Sequence, residues 1–169
     1  MSILNSKFDI TSVDNPVALA ALAQVLKVPG GMTLNSEGTP IAGVIPAGAI
    51  VKMDPADGTA ILATTGDVST DTAIKAQNRV MVFVAIDGNK DFSGSFVQKL
   101  TVLNGGFTML TDQYDAGAYA PGKQVSFNVG KIKLADADGS DQIIGVVGPA
   151  GLDAVNGVLE VIVPQGGGL

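Results

Sequence analysis

The sequence predicts a mainly β fold: a small β-barrel or β-sandwich, preceded by an N-terminal arm that carries one short helix. Three observations predict it. Short apolar or alternating runs recur from Ile41 onward, turn residues separate them at fairly even spacing, and 22 glycines supply the backbone freedom such turns use. The pattern divides the chain into an arm, 1–40, and a β domain, 41–169.

The arm contains the one convincing helix signal, over Pro16–Lys27. Asn15 can cap it, Pro16 suits a first turn, and Leu19, Leu22 and Leu26 share one face. Pro29-Gly30-Gly31 then stops it. A helix with one leucine face and no core of its own must pack on the domain or on a neighbour. Leu19, Leu22 and Leu26 are therefore the expected contact residues toward a partner.

Strands are expected at Ile41–Ile45, Ala49–Met53 and Thr59–Thr64, separated by Pro46-Ala47-Gly48 and by the acidic turn Asp54–Gly58. Arg79–Ile86 is apolar on both faces, with Val80, Val82, Val84 and Ile86 on one and Met81, Phe83 and Ala85 on the other. That pattern predicts a central strand covered on both sides. Ser95–Leu103 and Phe107–Thr111 flank Asn104-Gly105-Gly106, a turn that favours positive φ. Pro121-Gly122 reads as a type II turn leading into Gln124–Val129. Lys131–Leu134, Gln142–Val147 and Gly157–Val163 complete the set, and Leu159, Val161 and Val163 share a face.

Composition excludes much chemistry. The 169 residues include no His and no Cys, no Trp, and a single arginine, Arg79. A Ser-His-Asp triad, a cysteine nucleophile, a Cys/His zinc site, iron–sulfur ligation and an arginine clamp are all excluded. A net charge of −6 argues against a nucleic-acid-binding face, which needs clustered Lys and Arg. The longest strand-like apolar run, Val80–Ile86, falls far short of the about 20 residues that span a membrane, and Met1–Lys7 lacks the pattern of a signal peptide. Charged residues make up only 15%, against roughly 25% in ordinary globular chains, so part of the surface is expected to be covered by other subunits.

Three motifs invite a chemical reading. Gly117-Ala-Tyr-Ala-Pro-Gly122-Lys123 has the spacing of a phosphate-binding loop, but Gln124 stands where Ser or Thr should hold magnesium, and the loop runs into a strand. Asp136-Ala-Asp138-Gly-Ser-Asp141 is rich in oxygen ligands suited to calcium, yet its glycine and its twelfth residue do not fit an EF-hand; an exposed turn is the simpler account. Asp54–Asp57 and Asp87–Asp91 read as turns as well. Asp112 and Asp115 beside Tyr114 and Tyr119 could be a carboxylate pair with a phenol, but tyrosines that pin a loop to the domain explain them more economically. No catalytic residue, no organic cofactor and no required metal are expected.

The segment from Ile45 to Val163 resembles the capsid decoration, or cement, proteins of tailed bacteriophages. The resemblance is one of layout, carried by Ile45-Pro-Ala-Gly-Ala-Ile-Val-Lys52 with the acidic turn after it, Gly122-Lys-Gln-Val-Ser-Phe-Asn-Val129, Ile143-Ile-Gly-Val-Val147 and Gly157-Val-Leu-Glu-Val-Ile-Val163. It implies a non-enzymatic homo-oligomer, often a trimer, that sits on the outer capsid surface of a virion and ties major capsid protein subunits together. It also implies an N-terminal arm lying on the capsid. The alternatives are a receptor-binding or fibre-base module of a virion, and a cytosolic ligand-binding β-barrel.

Overall fold

The computed structural model describes residues 7–14, 24–28, 45–54, 58, 60–66, 68–86 and 98–164; for 24–28 and 98–100 it describes the backbone alone. Among the described residues, eleven strands and one helix run in the order β1 (Phe8–Val13), β2 (Gln24–Val28), β3 (Ile50–Met53), β4 (Ala60–Leu62), α1 (Thr72–Asn78), β5 (Val82–Ala85), β6 (Gln98–Leu103), β7 (Phe107–Thr111), β8 (Gln124–Asn128), β9 (Lys131–Leu134), β10 (Gly145–Asp153) and β11 (Val158–Val163).

The strands form two antiparallel sheets. One has the order β1-β7-β11-β10-β8-β9 and the other β2-β6-β5-β3-β4. The expected mainly β class is what the structure shows. Of the two architectures left open, a closed barrel is not formed; two stacked sheets with a shared core describe a sandwich-like arrangement. The smaller sheet curls, so that its edge strands β2 and β4 approach each other without pairing.

Side-chain alternation explains the core. In β7, Phe107, Met109 and Thr111 are buried, and their register partners in β11 are Val163, Val161 and Leu159, also buried. They meet Val125, Phe127 and Ile132 from β8 and β9, and Ile50, Val82, Val84 and Leu103 from the smaller sheet. The doubly apolar strand is central, as expected: β5 lies third of five and all four of its residues are buried. Val82 and Val84 join the inter-sheet core, while Phe83 and Ala85 join a second cluster with Ile45, Val51, Ala60 and Val102. The strand is shorter than Arg79–Ile86, because Val80 and Met81 are exposed and precede the first ladder pair.

Glycine is required where strands cross closely or the chain reverses. At Gly145 a Cβ would lie 2.4 Å from the carbonyl oxygen of Ile162, a backbone atom that cannot turn away. The β8–β9 hairpin turns through Val129 (φ 45°) and Gly130 (φ 77°), both left-handed as a two-residue turn demands. A β-branched residue is poorly suited to that region. Val129→Asn should therefore raise stability by about 1 kcal/mol, read from the urea midpoint.

Two expectations for the N-terminal region are corrected. The helix over Pro16–Lys27 is not formed at its C-terminal end: Gln24–Val28 is a strand, paired with β6 from Gln24↔Val102 to Val28↔Gln98. A ladder of backbone bonds and the β-branched Val25 and Val28 outweigh a leucine spacing that has no packing partner of its own. Residues 15–23 lie outside the described residues, and so do 41–44 of the strand expected at Ile41–Ile45. The arm, 1–40, is likewise not separate from the domain. It contributes β1 to the edge of one sheet and β2 to the edge of the other.

Two elements were not expected, strand β1 and helix α1. Helix α1 starts at Asp71, whose carboxylate accepts from the N–H groups of Ala73 and Ile74 at 2.9 and 3.3 Å, and it buries no residue. Its cap was legible in Asp71-Thr72-Ala73-Ile74, but without an apolar face there was no period to detect.

Candidate functional site

The carboxylate-rich loop Asp136–Asp141 joins β9 to β10. Lys133, on β9, places its ammonium 3.1 Å from Asp136 Oδ2 and 3.0 Å from Asp141 Oδ2. The Asp136 N–H donates to Asp141 Oδ2 at 2.7 Å, and the Ser140 N–H donates to Asp138 Oδ1 at 2.9 Å. The three carboxylates thus do separate work. Asp141, fully buried, draws the loop back over the sheet; Asp138 closes the turn; Asp136 stays at the surface. Lys133 already supplies the positive charge between two of them. Among the described residues no three acidic side chains converge as ligands. The melting temperature should accordingly be the same in EDTA and in millimolar calcium. A shift of several degrees would reinstate the loop as a metal site.

Lys133 is the register partner of Ser126, so serine, lysine and aspartate stand in one row on the face of β8 and β9 turned from the core. Ser126 Oγ and Asp141 Oδ1 are buried and have no hydrogen-bond partner among the described residues. Ser126 Oγ borders Gly66, where a Cβ would fall 1.8 Å from it and whose carbonyl accepts from the Gln142 N–H at 2.7 Å. A nucleophilic serine needs a neutral base and access to substrate. Burial pushes the Lys133 ammonium toward the neutral form, but its bonds to Asp141 and Asp136 outweigh that and raise its pKa above 10.5. The lysine is held charged, the serine has no surface, and the row is a structural clasp.

The second carboxylate group is dispersed in the same way. Asp112 accepts from the Lys7 N–H and from Gln113 Nε2, each at 2.7 Å, and Asp115 accepts from Asn128 Nδ2 at 3.2 Å. The Tyr119 hydroxyl lies 2.8 Å from the Asp115 carbonyl and 3.0 Å from that of Ile132, and its ring meets Tyr114 edge-on at 5.7 Å. Burial, then the nearby Asp115 charge, then Tyr114 push the Tyr119 phenol up to about 12, so it remains a donor. A tyrosine reaching back to a carbonyl four residues upstream pins the crossing between β7 and β8. Tyr119→Phe should cost about 1–2 kcal/mol in urea unfolding, because the part-buried Asp115 carbonyl loses the hydroxyl, while the Ile132 carbonyl keeps the Asp115 N–H.

The remaining motifs are turns. Lys123 N–H donates to the Ala120 carbonyl at 3.2 Å around Pro121-Gly122 (φ 80°), and the chain then enters β8 rather than a helix. Gly58 N–H closes on the Asp54 carbonyl at 2.8 Å. Asp87–Asp91 lies outside the described residues, as do Leu19 and Leu22. Leu26 sits in β2 opposite Leu100, so it does not complete a helical leucine face.

A cleft that the motif reading missed lies where the inter-sheet core opens. It measures about 220 Å³; Phe127, Val68 and Val80 form its apolar part, and Lys52, Thr64 and Thr65 its polar part. Buried Gln142 holds Val80 in place by bonding both its N–H and its carbonyl, at 3.0 and 2.8 Å. Asn78, at the end of α1, completes the rim and donates to the Val68 carbonyl at 3.3 Å. One signal could have found it. Lys52 alternates with Ile50, so a charge stands on the core-facing side of a strand.

Comparison with protein families, with curated proteins and with solved structures returns no match.

Proposed function

We propose that this chain is a structural, non-enzymatic virion protein of the decoration type, which binds the outer surface of a phage capsid and stabilises contacts between major capsid protein subunits. One observation carries the reading. The polar groups that could have formed a catalytic or metal site are spent on closing turns and pinning strands, while large apolar side chains such as Ile74, Met81 and Val155 stay exposed. Such a division suits a protein that works by surface complementarity. The layout supports it too. Three of the segments that carry the resemblance become the adjacent strands β8, β10 and β11. No helix among the described residues is long and apolar enough to cross a membrane.

In this role the protein acts in many copies, as a homo-oligomer and by the resemblance a trimer, each copy adding contacts that capsid expansion would break. A gel of purified virions tests the role directly. A decoration protein gives a 17.0 kDa band at a copy number near that of the capsid lattice. A band at a few copies per particle favours the fibre-base reading, and no band removes the virion role altogether.

A further inference from the structure

Two of the six exposed large apolar residues among those described adjoin the cleft. Val80 lines it. Ile74 stands one helical turn before the rim residue Asn78, on the same face of α1. Met53 and Met81 alternate with Val51 and Phe83 of the second cluster, on the other side of the sheet.

Lys52 gives the cleft its charge preference. It is half-buried, and no hydrogen bond or ion pair ties it to another described residue. In a chain of net charge −6 with carboxylates on many turns, Lys52 thus stands as a cation with no acidic partner among the described residues, available to a carboxylate supplied from outside. The cleft holds a single side chain, and its floor at Phe127 is apolar. Its size is below the roughly 300 Å³ at which pockets for drug-sized molecules begin.

We infer that this cleft and its apolar rim form a docking surface for a partner protein, which inserts one acidic side chain toward Lys52 and lays flanking apolar side chains on Val80 and Ile74. The surface rests on the binding role proposed above and locates it. The apolar stem of the inserted glutamate or aspartate packs against Phe127 and Val68, its carboxylate meets Lys52, and the threonine hydroxyls and Asn78 complete the polar rim. Charge decides which segment enters, and the surrounding apolar contacts decide how tightly it is held.

The test uses the isolated full-length chain, so its outcome is separate from the virion gel. Amide resonances are followed while the capped peptides acetyl-Leu-Glu-Leu-amide and acetyl-Leu-Gln-Leu-amide are added to millimolar concentration. The glutamate peptide should shift Lys52, Thr64, Thr65, Val68 and Val80 saturably, and the glutamine peptide should bind about tenfold more weakly. Lys52→Met, which keeps the apolar stem, should remove the preference between the peptides while leaving the spectrum of the sheets unchanged. Equal binding of both peptides by the native protein overturns the inference, as does the absence of saturable shifts at these residues. Butyrate binding as tightly as the glutamate peptide replaces a protein partner with a small free acid, and so overturns it as well. The comparison of peptides on the native chain stands even if the variant does not fold.

Discussion

Lys133→Met is expected to destabilise the protein by about 3–5 kcal/mol, because it leaves Asp141 as a buried carboxylate with no positive partner. The cost comes from stranding the buried charge more than from the pair's own net attraction. The double variant Lys133→Met/Asp141→Leu should therefore recover a large part of the loss. Asp136→Asn, by contrast, touches the exposed partner of the same lysine and should cost less than about 1 kcal/mol. Urea unfolding of the four proteins decides the matter. Similar losses for Lys133→Met and Asp136→Asn would show that burial of Asp141 does not govern the clasp.

The same clasp sets the alkaline limit of stability. Lys133 has a folded pKa above its unfolded 10.5, so its contribution is complete below that value and disappears as pH rises through the folded one. Lys133→Met should flatten the alkaline arm of the stability profile. The acid arm has other sources. Hydrogen bonds from Ser140 hold the Asp138 carboxyl below 3.8, and bonds from Asn156 do the same for Asp153. Their contributions are present above 3.8 and fade as pH falls through the folded values.

Deleting residues 1–14 has the second large expected effect. It removes β1, which covers the free edge of β7 and packs Phe8, Ile10 and Val13 against the inter-sheet core. It also removes the clips at the two ends of the strand: the Lys7 N–H to Asp112, and the Asp14 N–H to the Gly106 carbonyl at 3.0 Å. Three half-buried apolar side chains amount to about 3 kcal/mol, and the bared edge of β7 becomes a template for aggregation. Lower stability together with concentration-dependent aggregation is the expected result. A truncated chain with unchanged stability would mean that the N-terminal strand is dispensable, as an arm would be.

Strands β7, β8, β9 and β11 were legible because each carries its own evidence; of β10 (Gly145–Asp153) only the stretch to Val147 was expected. Phe107–Thr111 and Gly157–Val163 alternate, Asn104-Gly105-Gly106 and Pro121-Gly122 mark the reversals, and the backbone follows these local preferences with positive φ at Gly105, Gly106 and Gly122. The doubly apolar run ending at Ile86 was equally direct, since only a strand buried on both faces keeps such a pattern. These assignments need only neighbours in sequence, within the reach of a turn or a strand.

Other features depend on partners far along the chain. Gln24–Val28 has helical spacing behind it and becomes a strand because β6, more than seventy residues later, offers a ladder. The acidic loop has a nearer partner: it reads as a turn or a calcium site until burial of Asp141 against Lys133, eight residues back on β9, is seen. The cleft exists only because Lys52, Thr64, Val80 and Phe127, from four separate stretches, meet where two sheets diverge. The sequence by itself determined the β class, the turns and the absence of histidine and cysteine chemistry, because these follow from residue type and local backbone freedom. Only the tertiary structure decided which segments pair, which carboxylates are neutralised and where apolar side chains remain exposed, because pairing and burial are settled between residues that composition and spacing cannot bring together.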